Sequence, residues 1–159
     1  MDIAYLGTNK FKSSKKRKKT MVIRQAHKKD LPQILAFMGI GQAKRKDWHV
    51  SAEKFVESYI TNKHNFFLIC LKNGKIEGTI NGELWDDKGF AYLGEIRAIG
   101  KKREEIIQNM FKQFIVFCKK KNVKIINTYV QKKKKKQIEV YLSLGMKKRG
   151  EHFYFERRI

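Results

Sequence analysis

Apolar residues along the chain fall into strand-like and helical periods, and the longest of these lies beyond Arg103. There Ile106, Ile107, Met110, Phe111, Phe114, Ile115, Phe117 and Cys118 recur at intervals of one, three and four, which places them along one wide face of a helix. Lys119, Lys120 and Lys121 gather in its last turn, where the helix dipole favours cations, and Asn122 suits the stop. The residues before it, Phe90 to Ile99, read as a strand carrying Leu93, Ile96 and Ile99. A strand that ends in a loop and feeds a helix leaves first-turn N–H groups pointing outward, which is a place for a phosphate. An ordinary strand-to-helix connection has the same pattern.

The other periods are shorter. Val22 to Ala26 alternates as a first strand. Asp30 is a fair N-cap with Pro32 in the first helical turn, and Leu31, Ile34, Leu35 and Met38 make an apolar stripe that Gly39 and Gly41 end. A basic loop over 39–50 carries Trp48 and His49. Ser51 then caps a second helix bearing Phe55, Val56, Tyr59 and Ile60. Phe66 to Leu71 is a continuous apolar strand, and Asn73-Gly74 is a two-residue hairpin signal. Lys75 to Trp85 is the return strand, with Ile76, Gly78, Ile80, Gly82 and Leu84 on one face. After the long helix come a strand over Val123 to Val130, a run of five lysines from Lys132 to Lys136, a helix bearing Tyr141, Gly145, and a last strand through His152 to Phe155. Nothing repeats internally. The order predicts an α/β protein, a mixed sheet with helices on both faces.

Composition adds a strong charge. The chain has 159 residues, enough for one domain with a real core, and a formal net charge of +22. Residues 1–20 hold seven Lys/Arg and one Asp, leaving thirty basic and fourteen acidic residues, or +16, in the rest. Such a field attracts nucleic acid, acidic proteins or a phosphorylated cofactor, although a lysine-rich surface also serves solvation alone. The segment 1–20 lacks an apolar period. It is expected to be a disordered basic tail: a nucleic-acid-binding arm, a localisation tag or an inert extension. Residues 21–159 then form a single domain. No apolar run approaches a membrane span and no signal-peptide pattern is present, so the expected compartment is the cytoplasm. Cys70 and Cys118 sit in apolar stretches, as buried free thiols do there. The scattered His27, His49, His64 and His152 give no metal-site spacing, and no metal is expected.

Residues 138–159 bring in chemistry. Ile138, Tyr141, Gly145, Met146, Lys147 and Lys148, followed by an aromatic strand, resemble the C-terminal end of the GNAT acetyltransferase superfamily, with Met146 where a phenylalanine is usual. Residues 22–38 resemble its first strand and helix, and residues 72–80 its second hairpin, so the likeness covers about 22–159. The resemblance implies the acyl-CoA N-acyltransferase fold, acetyl-CoA as co-substrate, and transfer of an acetyl group to a primary amine on a protein, a small molecule or a polyamine. It implies a pyrophosphate loop over Ala98, Ile99, Arg103, Glu104, Glu105, Ile106, Ile107 and Gln108. Arg103 matches the first position of the family motif, whereas Ile106 and Gln108 stand where it has small residues. It implies that Tyr141 protonates the leaving thiolate, which a phenol of pKa about 10 can do when it lies close to the sulfur. Glu95 is the candidate general base, its other reading being a strand carboxylate paired with Arg97. A backbone N–H at or near Ile99 would hold the oxyanion. Lys134 stands where the family often has asparagine, and Trp48 and His49 lie where an acceptor wall would be. The competing reading is a catalytically inactive protein of this fold that binds nucleic acid or an acidic partner through its basic surface.

Overall fold

The computed structural model describes residues 21–39, 52–149 and 154–159. Its elements in order are β1 (Met21–Gln25), a one-turn 3-10 helix (Lys28–Asp30), α1 (Leu31–Met38), α2 (Ala52–Thr61), β2 (Asn65–Lys72), β3 (Lys75–Trp85) and β4 (Phe90–Ala98). Then follow α3 (Arg103–Lys120), β5 (Ile125–Tyr129), α4 (Lys135–Ser143), β6 (Lys147–Arg149) and β7 (Tyr154–Arg158). The strands form one mixed sheet in the order β1-β2-β3-β4-β5-β7-β6. All neighbours pair antiparallel except β4 and β5, which run parallel.

Helices cover both faces. On one side α3 lays Ile106, Met110, Phe111, Phe114 and Cys118 against Ile80, Leu84, Leu93 and Ile96, and α4 adds Tyr141. Phe66 stacks on Phe114 at 4.1 Å between ring centroids. On the other side α1 and α2 bury Ile34 and Val56 with Phe67, Ile69 and Ile76. Each buried aliphatic side chain contributes about 1.5–3 kcal/mol relative to exposure, and both helical stripes read from the sequence supply them. The ends behave as their residues dictate. Asn73 and Gly74 both have positive φ (53° and 77°), as a tight hairpin turn needs. Asn122 takes φ 57° after α3, and the N–H of Val123 closes back on the Cys118 carbonyl at 3.0 Å.

Four expectations change. Ile76 faces α1 and α2, not the α3 side with Ile80 and Leu84. Register slips between Cys70 and Leu71, opposite Gly78 and Ile76, so Glu77 is a bulge that swaps faces. Asp30 does not cap α1: its carboxylate turns back to accept from the His27 N–H at 2.8 Å and from both Arg24 guanidinium nitrogens at 2.7 and 2.8 Å. A two-pronged charged donor outcompetes one helix N–H. Ile99 lies beyond the end of β4 and is 51 % exposed. The strand β6 was not foreseen, because Lys147-Lys148-Arg149 is wholly polar and pairs only at the sheet edge. Residues 1–20, the Trp48/His49 loop, Ser51 and His152 lie outside the described residues.

Candidate active site

The sheet forks between β4 and β5. The two strands pair only over Phe90–Tyr92 and Ile125–Asn127. Past that point β4 stays with β3 and β5 stays with β7. The divergence begins at a bulge. Asn81 faces Glu95 while Gly82 faces Leu93, so Gly94 is the extra residue, and a bulge bends and twists its strand. The fit at Gly94 is tight, since an added Cβ would lie 2.6 Å from the Asn81 Oδ1 and push that side chain aside. The Thr128 hydroxyl, buried at the crotch, donates to the Leu93 carbonyl at 2.6 Å and ties the last rung. Above it opens a notch of about 210 Å³, lined by Gly94, Glu95, Tyr129, Val130, Lys134 and Gln137 among others.

The fork leaves backbone groups without a strand partner. The N–H of Ile99 donates to the Glu77 carbonyl at 2.9 Å. Antiparallel pairing alternates, so the N–H and C=O groups of Ile96 and Ala98 turn away from β3, toward the opened side. The expected oxyanion donor at Ile99 is therefore already engaged, and Ile96 and Ala98 are the residues that offer N–H groups to the gap.

Glu95 and Gln137 line this notch, and Gln137 reaches back to the buried Tyr141. Tyr141 is 0 % exposed, its ring 5.9 Å from that of Phe155. Its hydroxyl accepts from the Gln137 amide at 3.2 Å, one turn earlier on α4. Burial pushes the phenol up, the Gln137 amide pulls the other way, and the Glu95 charge adds to the rise. The group thus holds its proton at neutral pH, the state a proton donor needs. Glu95 lines the notch, and its carboxylate accepts from Arg97 at 2.7 Å. Arg97 in turn donates to the Met38 carbonyl at 3.2 Å, which anchors the pair to the end of α1. Sequence reasoning missed Gln137 and Thr128. The spacing of four between Gln137 and Tyr141 on one helix was the available signal.

The eight residues of the expected pyrophosphate loop separate into three groups. Ala98 ends β4, and Ile99 leads through Gly100, at φ 84°, into a turn of Lys101 and Lys102. Arg103, Glu104 and Glu105 form the exposed first turn of α3. There the Arg103 N–H reaches the Gly100 carbonyl at 3.2 Å and the Ile106 N–H reaches Lys102 at 3.0 Å. The N–H groups of Glu104 and Glu105 have no backbone partner among the described residues, as in any first helical turn. Lys102 pairs with Glu105 at 2.9 Å, which offsets one of the two acids. Ile106 and Ile107 instead point into the core. Ile106 packs over Gly78, where an added Cβ would lie 2.8 Å from the Ile106 Cγ2. The bulk of Ile106 thus goes toward the sheet, away from the exposed turn. Gln108 donates to the Ser143 carbonyl at 3.3 Å and joins α3 to the end of α4.

Nucleophilic catalysis by a thiol does not fit. Cys70 and Cys118 are free and buried, and burial pushes both thiols up, Cys118 to about 12. Among the described residues no helix is long and apolar enough to cross a membrane.

A family model described as an acetyltransferase (GNAT) domain matches residues 23–156. Solved structures share the overall fold. The PaiA N-acetyltransferase of Thermoplasma acidophilum, in complex with coenzyme A, is 18 % identical, covers 88 % of this chain and 99 % of its own, and superposes with a TM-score of 0.71. A probable acetyltransferase of Staphylococcus epidermidis is 13 % identical over 87 % of this chain and 99 % of its own, with a TM-score of 0.70. An aminoglycoside acetyltransferase from an uncultured soil metagenomic sample, in complex with sisomicin, is 14 % identical over 84 % and 93 %, with a TM-score of 0.64. Among curated proteins no sequence matches.

Proposed function

The chain belongs to the GNAT acetyltransferase family, and from that premise we propose that it transfers an acetyl group from acetyl-CoA to a primary amine by direct attack of the neutral amine on the thioester. The observation that carries this reading is the fork: a parallel pair that opens beside a buried tyrosine and leaves one strand edge unpaired. The residues fit the co-substrate. The first turn of α3 offers free N–H groups and the dipole's positive end, with Lys101, Lys102 and Arg103 around it, to a pyrophosphate. Backbone donors act without glycine where the side chains point elsewhere, and Ile106 does so by packing over Gly78. The unpaired edge at Ile96 and Ala98 offers alternating donors and acceptors to an extended, amide-bearing arm, as an added strand would use them.

Each side chain then has a role that its surroundings support. Tyr141 keeps its proton and gives it to the departing thiolate, with the Gln137 amide orienting the hydroxyl. Glu95 takes up the proton of the amine through water, its carboxylate fixed by Arg97. An N–H on the opened side of β4, that of Ile96 in the first place, stabilises the charge that develops on the acyl oxygen. The burial of Cys70 and Cys118 supports direct attack over an acyl-cysteine intermediate. The test is release of free CoA thiol from acetyl-CoA in the presence of a panel of primary amines. Turnover with at least one amine is expected, falling about 10²-fold or more in Tyr141→Phe, the scale for losing a general acid. Tyr141→Phe turning over at the wild-type rate removes Tyr141 from the mechanism.

A further inference from the structure

No step of the transfer proposed above uses the lysine run, yet it stands at the mouth of the notch. Lys132 to Lys136 are all exposed and lead from β5 into α4, and Lys134 lines the notch. None of the five forms an ion pair with a described residue. Folding alone gives little reason for them. Lys119, Lys120 and Lys121 sit at the C-terminal end of α3, where the helix dipole favours cations. Lys135 and Lys136 open α4 with no acid in its first turn and no side-chain cap, so the dipole and their mutual repulsion both oppose them. Such a surface repels a polycationic acceptor and draws in a polyanion. Beside it Tyr129, 54 % exposed, lines the same notch and presents a ring.

We propose that Lys132–Lys136 and Tyr129 form a binding surface for single-stranded nucleic acid at the mouth of the notch. Lysines supply point charges to successive phosphates, and an exposed tyrosine supplies a face on which any base can stack. An acidic peptide would use the lysines and leave the ring without a partner. A notch of about 210 Å³ has room for a single base or a chain end. The surface adjoins the acetyl-transfer site proposed above and rests on that reading only for its position, because its binding is measurable without acetyl-CoA.

The experiment is fluorescence anisotropy of a labelled oligouridylate of about 20 nucleotides with the full chain. With about four phosphate contacts the affinity should fall roughly 50-fold between about 50 and 200 mM salt. The variant Lys132→Gln/Lys133→Gln/Lys135→Gln/Lys136→Gln should bind about tenfold or more weakly, with a log–log salt slope shallower by about 2. It relieves repulsion, so it should melt at or above the wild-type temperature, which separates lost binding from lost fold. Lys119→Gln/Lys120→Gln/Lys121→Gln serves as the equal-chemistry control and should stay within about threefold. Tyr129→Ala should weaken the oligouridylate about tenfold and leave polyglutamate binding unchanged. Equal losses in the two lysine variants would overturn the proposal in favour of a diffuse field. Polyglutamate that displaces the oligonucleotide as well as unlabelled oligouridylate does would overturn it in favour of an acidic peptide. Acetyl-CoA binding without oligonucleotide binding also overturns it. Oligonucleotide binding through the run without acetyl-CoA binding upholds the surface and sinks the transferase reading.

Discussion

Ile106 occupies a position where the family motif has a small residue, and Gly78 explains how the chain tolerates it. Giving residue 78 a Cβ puts that atom 2.8 Å from the Ile106 Cγ2 and 2.8 Å from the Met110 Sδ, with the Arg97 carbonyl at 3.2 Å. Met110 can swing aside, but Ile106 is β-branched, buried and fixed in a helix. Overpacking of this kind costs about 1–3 kcal/mol, and replacing glycine in the unfolded chain returns about 0.4–1. Gly78→Ala should therefore destabilise by about 1–2 kcal/mol, a drop of roughly 2–8 °C for a chain of this size. Ile106→Ala leaves a hole and should cost about 2–4 kcal/mol. Combined, the new methyl fills part of that hole, so the double variant should be less damaged than the sum by about 1 kcal/mol or more. Urea unfolding of the four proteins, with unchanged slopes, measures the cycle. Ile106→Ala should also bind acetyl-CoA within about threefold of wild type, because the side chain faces the sheet. Strict additivity, or a large loss of acetyl-CoA affinity in Ile106→Ala, would refute the claim that this departure from the motif is a packing exchange.

Three further outcomes are expected. The Arg24 guanidinium holds the Asp30 carboxyl at about 2, below its ordinary 3.8. The pair thus adds about 2 kcal/mol above pH 4, and this is lost as pH falls from about 4 to 2. Asp30→Asn should be less stable by that amount at pH 7 and converge with wild type near pH 2 in acid unfolding curves. Arg103→Ala removes a cation beside Glu104 and Glu105 and should raise the KM for acetyl-CoA about tenfold with kcat little changed, as steady-state kinetics at varied acetyl-CoA will show. A chain beginning at Met21 should unfold within about 1 kcal/mol of the full chain in urea, since a terminal segment without an apolar period is expected to bury little; a loss of several kcal/mol would mean that residues 1–20 are docked.

The apolar periods made most of the fold legible. The stripe from Ile106 to Cys118 is buried as its spacing requires, and Lys75–Trp85 is a strand from end to end, because burial is what selects those positions. Features set by register were not legible. The bulges at Glu77 and Gly94 depend on how two strands meet, and the face of Ile76 and the opening of the fork follow from them. The same holds for the site. The resemblance singled out Tyr141 and Glu95, but the Gln137 bond to Tyr141 and the engagement of the Ile99 N–H by Glu77 come from tertiary placement. Where the bulk of Ile106 goes was not legible either, because its partner Gly78 lies 28 residues earlier in the chain.

The central claim, that the fork and the first turn of α3 form an acetyl-CoA site, is tested most directly by calorimetric titration of the wild-type chain with acetyl-CoA. The account predicts saturable one-site heat with a Kd in the range of about 1–100 μM, weakening as salt screens Lys101, Lys102 and Arg103. A titration that stays flat up to millimolar acetyl-CoA would contradict it.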